Sequence, residues 1–185
     1  MTESNSNKIK YLIFPLGNPG EKYSKTRHNA GRILLSFLKK EESFKKILEE
    51  NDIEIFIPDG YMNESGKYLK KYIKNKNYKT ENIIVLYDDK DLEIGDIRLA
   101  KDRGDGGHNG LKNIIENLGT KDFSRIRIGI APKGTGKNSL IPPHGDIVQK
   151  YVLAKMPKEE IEILASKKVL ERAIFFLEEI IKDKK

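Results

Sequence analysis

The sequence contains no cysteine and no tryptophan. Without cysteine there is neither a disulfide framework nor a thiolate metal site. That suits a reducing compartment, and a cytoplasmic location is the expectation. No apolar run approaches the about 20 residues needed to span a bilayer. The opening MTESNSNKIK lacks the apolar stretch of a secretory signal. No membrane partner is expected. Aromatic residues are sparse at 8%, yet hydrophobic residues make up 37% of the 185, enough for one core. Acidic residues are outnumbered, 28 against 35 basic, for a net charge of +7. A nucleic-acid partner is permitted by this balance but not required. Lysine outnumbers arginine, and scattered lysine serves solubility equally well.

Residues 1–9 read as a flexible tail and residues 10–185 as one domain. Tyr11–Leu16 is a short apolar run that ends in Gly17-Asn18-Pro19-Gly20, as a buried strand entering a turn does. Further strands are expected at Ile53–Ile57, Ile83–Tyr87, Ile97–Leu99 and Arg125–Ile130. Helical spacing recurs in Ile33, Leu34, Phe37 and Leu38, in Ser43–Glu50, in Tyr68, Leu69, Tyr72 and Ile73, and in Leu111, Ile114, Ile115 and Leu118. The stripe from Ile161 to Ile181 predicts one long amphipathic helix. Strands alternating with helices argue for a three-layer α/β domain, its mixed and mostly parallel sheet covered by helices on both faces.

In such sheets ligands bind beyond the carboxyl ends of the strands. Several polar residues gather there. Asn18 and His28-Asn29 follow the first strand, Tyr61-Met62-Asn63 the second, and Asp88-Asp89 close the third. The loop Gly104-Asp105-Gly106-Gly107-His108-Asn109-Gly110 opens a helix. A histidine takes a proton from water near neutral pH, and a carboxylate fixes its tautomer. Amides orient a substrate or steady an oxyanion without adding charge. Each piece has a plainer reading. Asn63 and Asn109 precede helices, where asparagine is a favoured N-cap. The segment after the first strand is equally a simple turn. His28, His108 and His144, taken singly, read as structural, and Arg125 and Arg127 as solvated strand residues. Asp88, Asp89 and Asp91 form either a solvated acidic loop or a Mg²⁺ site. Two phosphate-loop lookalikes fail. Asn109 stands where a dinucleotide fingerprint needs its last glycine. Ala131–Asn138 lacks both the first glycine of a P-loop and the Ser/Thr after its lysine.

The linked segments Leu16-Gly17-Asn18-Pro19-Gly20, Tyr23, Thr26-Arg27-His28-Asn29-Ala30-Gly31 and Tyr61-Met62-Asn63-Glu64-Ser65-Gly66 are the first half of a longer pattern. Asp88-Asp89-Lys90-Asp91-Leu92, Gly106-Gly107-His108-Asn109-Gly110-Leu111-Lys112, Arg125-Ile126-Arg127-Ile128-Gly129 and Tyr151-Val152-Leu153 complete it. In this order they resemble the bacterial-type peptidyl-tRNA hydrolase family, over almost the whole chain from Tyr11. The resemblance implies a monomeric carboxylic ester hydrolase with one catalytic domain, acting on peptidyl-tRNA without metal or organic cofactor and without an obligate protein partner. It implies His28 as the base that activates water and Asp88 as its orienting partner. Asn18 and Asn63 would position the substrate at the peptidyl-ester junction, with Tyr61 beside them. Asn109 would hold the attacking water or the tRNA end, Tyr23 would line the tRNA side, and Arg127 would clamp the 5′-phosphate.

The chain departs from the family at Pro15, at Asp105 in the glycine-rich loop, and in a shortened stretch over 39–56. Ala100 stands where the resemblance implies a second clamp cation, with Lys101 beside it. A catalytically silent RNA-binding protein on the same scaffold is the alternative. Such a relative would be expected to have lost His28 or Asp88, and both are present.

Overall fold

The computed structural model describes residues 9–134 and 145–183. Most of the expected N-terminal tail, His144 and the greater part of the Gly/Pro-rich loop lie outside the described residues. Five strands form one sheet: β1 (Lys10–Pro15), β2 (Asp52–Ile55), β3 (Ile83–Glu93), β4 (Ile97–Ala100) and β5 (Ser124–Ala131). Their order is β2-β1-β3-β5-β4, parallel throughout except for β4, which runs antiparallel to β5. The helices are α1 (Ala30–Leu38), α2 (Glu42–Glu50), α3 (Ser65–Ile73), α4 (Asn109–Leu118), α5 (Asp146–Leu153), α6 (Lys158–Leu164) and α7 (Lys167–Lys182). The short stretch over 39–56 thus holds α2 and a four-residue edge strand.

Successive strand residues face opposite sides of a sheet, and this alternation divides the core. Tyr11, Ile13, Ile84, Leu86, Ile126 and Ile128 face α1, α2 and the C-terminal helices. Leu12, Phe14, Ile83, Val85 and Tyr87 face α3 and α4. Both faces of the central strands are buried, which is why β1 and β3 read as unbroken apolar runs. Each buried Leu or Ile adds about 1.5–3 kcal/mol to stability. The chain leaves β1 toward β2 on one side and returns through β3 on the other, so strand order reverses between β1 and β3. The crevice at that reversal is the usual ligand position. Asn18 and Asp88 flank it.

Two expectations about boundaries change. β3 does not end at Tyr87 or with Asp88-Asp89 but continues to Glu93, because β5 keeps pairing with it through Asp89↔Gly129 and, past an irregularity, again at Glu93↔Ala131. Asp88 is therefore a strand residue, with its position set by the ladder. The expected long C-terminal helix is two helices, α6 and α7, separated at Ser166, whose backbone is extended (ψ 145°). One straight rod would not both press Leu170, Ala173, Leu177 and Ile180 into the core and bring Glu160 to Arg27.

Candidate active site

Between β1 and α1 the chain makes a 3-10 turn over Arg27–Asn29 that carries His28. The turn is held from three directions. Asn29 accepts the Asn18 N–H on Oδ1 at 2.8 Å and donates Nδ2 to the Asn18 carbonyl at 2.9 Å. Arg27 forks onto Glu160 of α6 at 3.0 and 2.9 Å, with its guanidinium 4.4 Å from the Tyr151 ring centre. Thr26 bridges to Lys155, and Met156 N–H donates to the Lys25 carbonyl at 2.8 Å. Behind the turn, α1 meets β3 at Gly31, where a Cβ would stand 2.4 Å from the Leu86 carbonyl oxygen. Only a glycine permits that approach, which brings His28 over the end of β3.

His28 Nδ1 lies 2.9 and 3.0 Å from the two oxygens of Asp88. His108 Nε2 lies 2.9 Å from Asp88 Oδ1. Burial of Asp88 (3% exposed) opposes its charge, but electrostatic attraction and hydrogen bonds from the His28 and His108 rings outweigh this and hold the carboxyl well below the usual range. An ionised carboxylate only accepts, so each imidazole presents an N–H to it. His28 is protonated on Nδ1, which leaves its Nε2 lone pair as the basic atom. For His108 the tautomer is fixed from both sides. Its Nδ1 accepts the Leu111 N–H at 3.3 Å at the start of α4, so its proton sits on Nε2.

These groups line a cleft of about 580 Å³ with Asn18, Tyr61, Asn63 and Asn109. Asn18 Oδ1 accepts the Met62 N–H at 2.8 Å, which ties the turn after β1 to the one after β2 and leaves Nδ2 as a donor with no partner among the described residues. Asn63 and Asn109 are exposed, and neither caps a helix. His108 is the residue that caps α4, and α3 has no side-chain cap. Tyr23 meets Tyr61 edge-on, with ring centres 6.3 Å apart, beside the cleft and not in its lining.

Arg127 also sits outside the lining. Its Nε donates to Asp89 Oδ2 at 2.7 Å, and both side chains are about nine-tenths buried. Burial lowers the Arg127 pKa, but the bond to Asp89 outweighs it and the net shift is upward. Arg127 is thus no solvated strand residue, and Arg125 still less so. Arg125 is fully buried, and burial pushes its pKa down. β4 ends at Ala100, and the next residue, Lys101, turns to Asp183 at 2.5 Å, away from the cleft.

The three aspartates read as a metal candidate do not converge. Asp88 serves the two histidines, Asp89 serves Arg127 and the Asp91 N–H, and Asp91 serves Lys90. A different trio does converge: donor atoms of His28, Asp88 and His108 lie within 4.8 Å of one another. Two imidazoles and a carboxylate suit a divalent transition metal. With no ion, the same atoms satisfy one another as hydrogen-bond partners. His108, Asn29, Arg103 and Arg125 were not among the expected site residues. His108 stood in a recognisable motif, but nothing local announced a partner 20 residues away. Asn29 and Arg125 stood only as neighbours of His28 and Arg127 within the quoted segments, and Arg103 carried no signal of its own.

The sequence profile of the peptidyl-tRNA hydrolase family matches residues 12–185. A peptidyl-tRNA hydrolase of Prochlorococcus marinus is 39% identical over 186 residues, covering 91% of this chain and 86% of that protein. One of Thermodesulfovibrio yellowstonii is 42% identical over 162 residues, covering 80% of this chain and 81% of the relative. The crystal structure of a peptidyl-tRNA hydrolase from Acinetobacter baumannii superposes with a TM-score of 0.75 at 29% identity, covering 95% of this chain and 90% of the other.

Proposed function

The chain belongs to the peptidyl-tRNA hydrolase family, and from this premise we propose how its residues carry out the reaction. The enzyme hydrolyses the ester of peptidyl-tRNA. Water gives a proton to His28 Nε2 and attacks the ester carbonyl carbon. Asp88 holds the ring by its Nδ1–H and stabilises the imidazolium that forms. The tetrahedral intermediate collapses with cleavage of the carbon–oxygen bond to the terminal ribose, and the proton on Nε2 passes to the departing ribose oxygen. The products are a free peptide and a tRNA ready for recharging.

Asn18, through Nδ2, and Asn63 orient the ester and its developing oxyanion, a task for neutral donors that do not compete with His28 for the proton. Asn109 holds the attacking water or the tRNA end. Tyr61, half-exposed at 51%, and Tyr23 offer ring surface on the tRNA side, where base stacking is worth about 1–3 kcal/mol per base. Arg127 contributes to recognition of the 5′-phosphate, a contribution tempered by Asp89. Residues 10–185 act as a single catalytic domain, monomeric, in the cytoplasm and without an obligate protein partner. Among the described residues no helix is long and apolar enough to cross a membrane.

The observation that carries this reading is the contact of His28 Nδ1 with Asp88 inside the cleft. It also argues against the silent RNA-binding alternative, which has no use for an oriented base. The test is release of free tRNA from a purified N-blocked aminoacyl-tRNA. His28→Ala should lower kcat by about 10²–10⁴-fold. Near-normal turnover in a folded variant removes His28 from the role.

A further inference from the structure

The substrate brings a chain of phosphodiesters to a cleft in and around which, among the described residues, Lys90, Arg127 and Arg125 are neutralised or sealed while Arg103 is not. Lys90 lines the cleft but is bound to Asp91 Oδ1 at 2.6 Å. Arg127 is bound to Asp89. Arg125 is fully buried, and its Nε and Nη2 have no hydrogen-bond partner among the described residues and no access to solvent. Arg103 differs on both counts. It lines the same cleft, is exposed, and makes no hydrogen bond or ion pair among the described residues.

The backbone presents Arg103 deliberately. Asp102, immediately before it, adopts a left-handed conformation (φ 43°), which costs a non-glycine residue of order 1 kcal/mol. That turn separates Lys101, directed to Asp183, from Arg103, directed to the cleft. Immediately after it, the Gly104 carbonyl accepts Arg125 Nη1 at 2.8 Å. Arg103 is therefore held between a strained turn and an anchored carbonyl. Arg125, bonded to the Gly104 carbonyl from beneath, makes no ion pair among the described residues and adds positive charge beside the loop, partly offset by Asp102 and Asp105. Asp102, the carboxylate nearest in sequence, makes no ion pair with Arg103 among the described residues, and Asp105 turns back on its own loop by accepting the Gly107 N–H at 2.8 Å.

We propose that Arg103 binds a backbone phosphate of the tRNA at the cleft. This rests on the reading of the cleft as the peptidyl-tRNA site. A guanidinium meets a phosphate through two parallel N–H bonds, which the compact point charge of a lysine does not reproduce. Arg103 contributes to affinity and register, and takes no part in the proton transfers at His28.

The test uses the full chain, two substrates and a salt series. One substrate is N-acetyl-aminoacyl-tRNA. The other is the same amino-acid ester on adenosine, which carries no phosphate. With tRNA, Arg103→Ala should raise KM about tenfold at low salt with kcat unchanged. The slope of log kcat/KM against log salt should become shallower by about 0.7–0.9, the signature of one lost phosphate contact. Hydrolysis of the adenosine ester should be unchanged. Arg103→Lys should keep the salt slope and part of the affinity, and Lys101→Ala should leave the slope alone. An unchanged KM and slope in Arg103→Ala overturns the proposal, as does an equal loss on the adenosine ester, which would place Arg103 at the ester. Wild type inactive on both substrates would instead bring down the reading of the cleft, and this proposal with it.

Discussion

Asp88→Asn is the substitution for which the structure gives the sharpest expectation. A residue that merely orients one histidine would cost less than loss of the base itself. Here one carboxylate receives His28 on both oxygens and His108 on one, all at 2.9–3.0 Å. An asparagine offers one carbonyl oxygen and an NH₂ that only donates. Placed at Oδ1, that oxygen can still receive both rings, but the NH₂ then confronts the His28 Nδ1–H, donor against donor. The developing imidazolium also loses its counter-charge. At about 3 Å and an effective dielectric near 20, that attraction is of order 5 kcal/mol. The neutral hydrogen bond retained by the amide offsets part of it, leaving about 3–5 kcal/mol, or about 10²–10⁴-fold in kcat. KM for N-acetyl-aminoacyl-tRNA should barely move, because Asp88 is buried beneath the histidines. Single-turnover release of tRNA at saturating enzyme separates the chemical step from binding, and a thermal melt confirms folding. A folded Asp88→Asn enzyme with kcat within about threefold of wild type would refute the shared-carboxylate account.

Three further outcomes follow from named contacts. Glu160→Gln leaves the Arg27 guanidinium buried without its counter-ion, since the pair is only 10% and 17% exposed; stability should fall by about 3 kcal/mol and Tm by about 6–12 °C. The turn bearing His28 loosens with it, so kcat should drop in a melt-verified sample, and an unchanged Tm would show that the fork is incidental. Glu54 accepts hydrogen bonds from Tyr78 above all, and from Lys10, Tyr72 and Lys76, which outweigh burial and depress its pKa to about 2. A depressed folded pKa stabilises above the unfolded value of about 4.3, and the gain disappears as pH falls from there to about 2. Because the side chain is 36% exposed, the discounted effect of Glu54→Gln is about 1 kcal/mol at pH 7, and its melting curve should converge on wild type at the acid end. Persistence of the gap at low pH would mean that charge is not its source. Finally, activity on a pre-folded substrate should survive EDTA and dialysis; loss on chelation with recovery on Zn²⁺ or Mg²⁺ would turn the His28–Asp88–His108 trio into a metal centre.

What the chain determined by itself is everything that depends on neighbours in sequence. The unbroken apolar run Tyr11–Phe14 marks a strand with two buried faces, and the sheet order then assigns Leu12 and Ile13 to opposite cores. The residues crowded after the strands, His28, Asn63, Asp88 and Asn109, were legible as an edge cluster because parallel strands all end on one side. Short-range pattern does not specify which distant side chains meet. It left Asn109 as a helix cap, yet the cap is His108, whose ring accepts the Leu111 N–H on one nitrogen and meets Asp88 with the other. It also left Arg125 and Arg127 as solvated alternates of one strand. Only the insertion of β5 between β3 and β4 seals Arg125 and sets Arg127 against Asp89. The break at Ser166 belongs to the same class, since the apolar stripe is continuous through it and the Arg27–Glu160 pair spans 133 residues. Periodicity is a property of a dozen residues, whereas ion pairs and tautomers are decided by strand order, which brings together groups that no local signal connects.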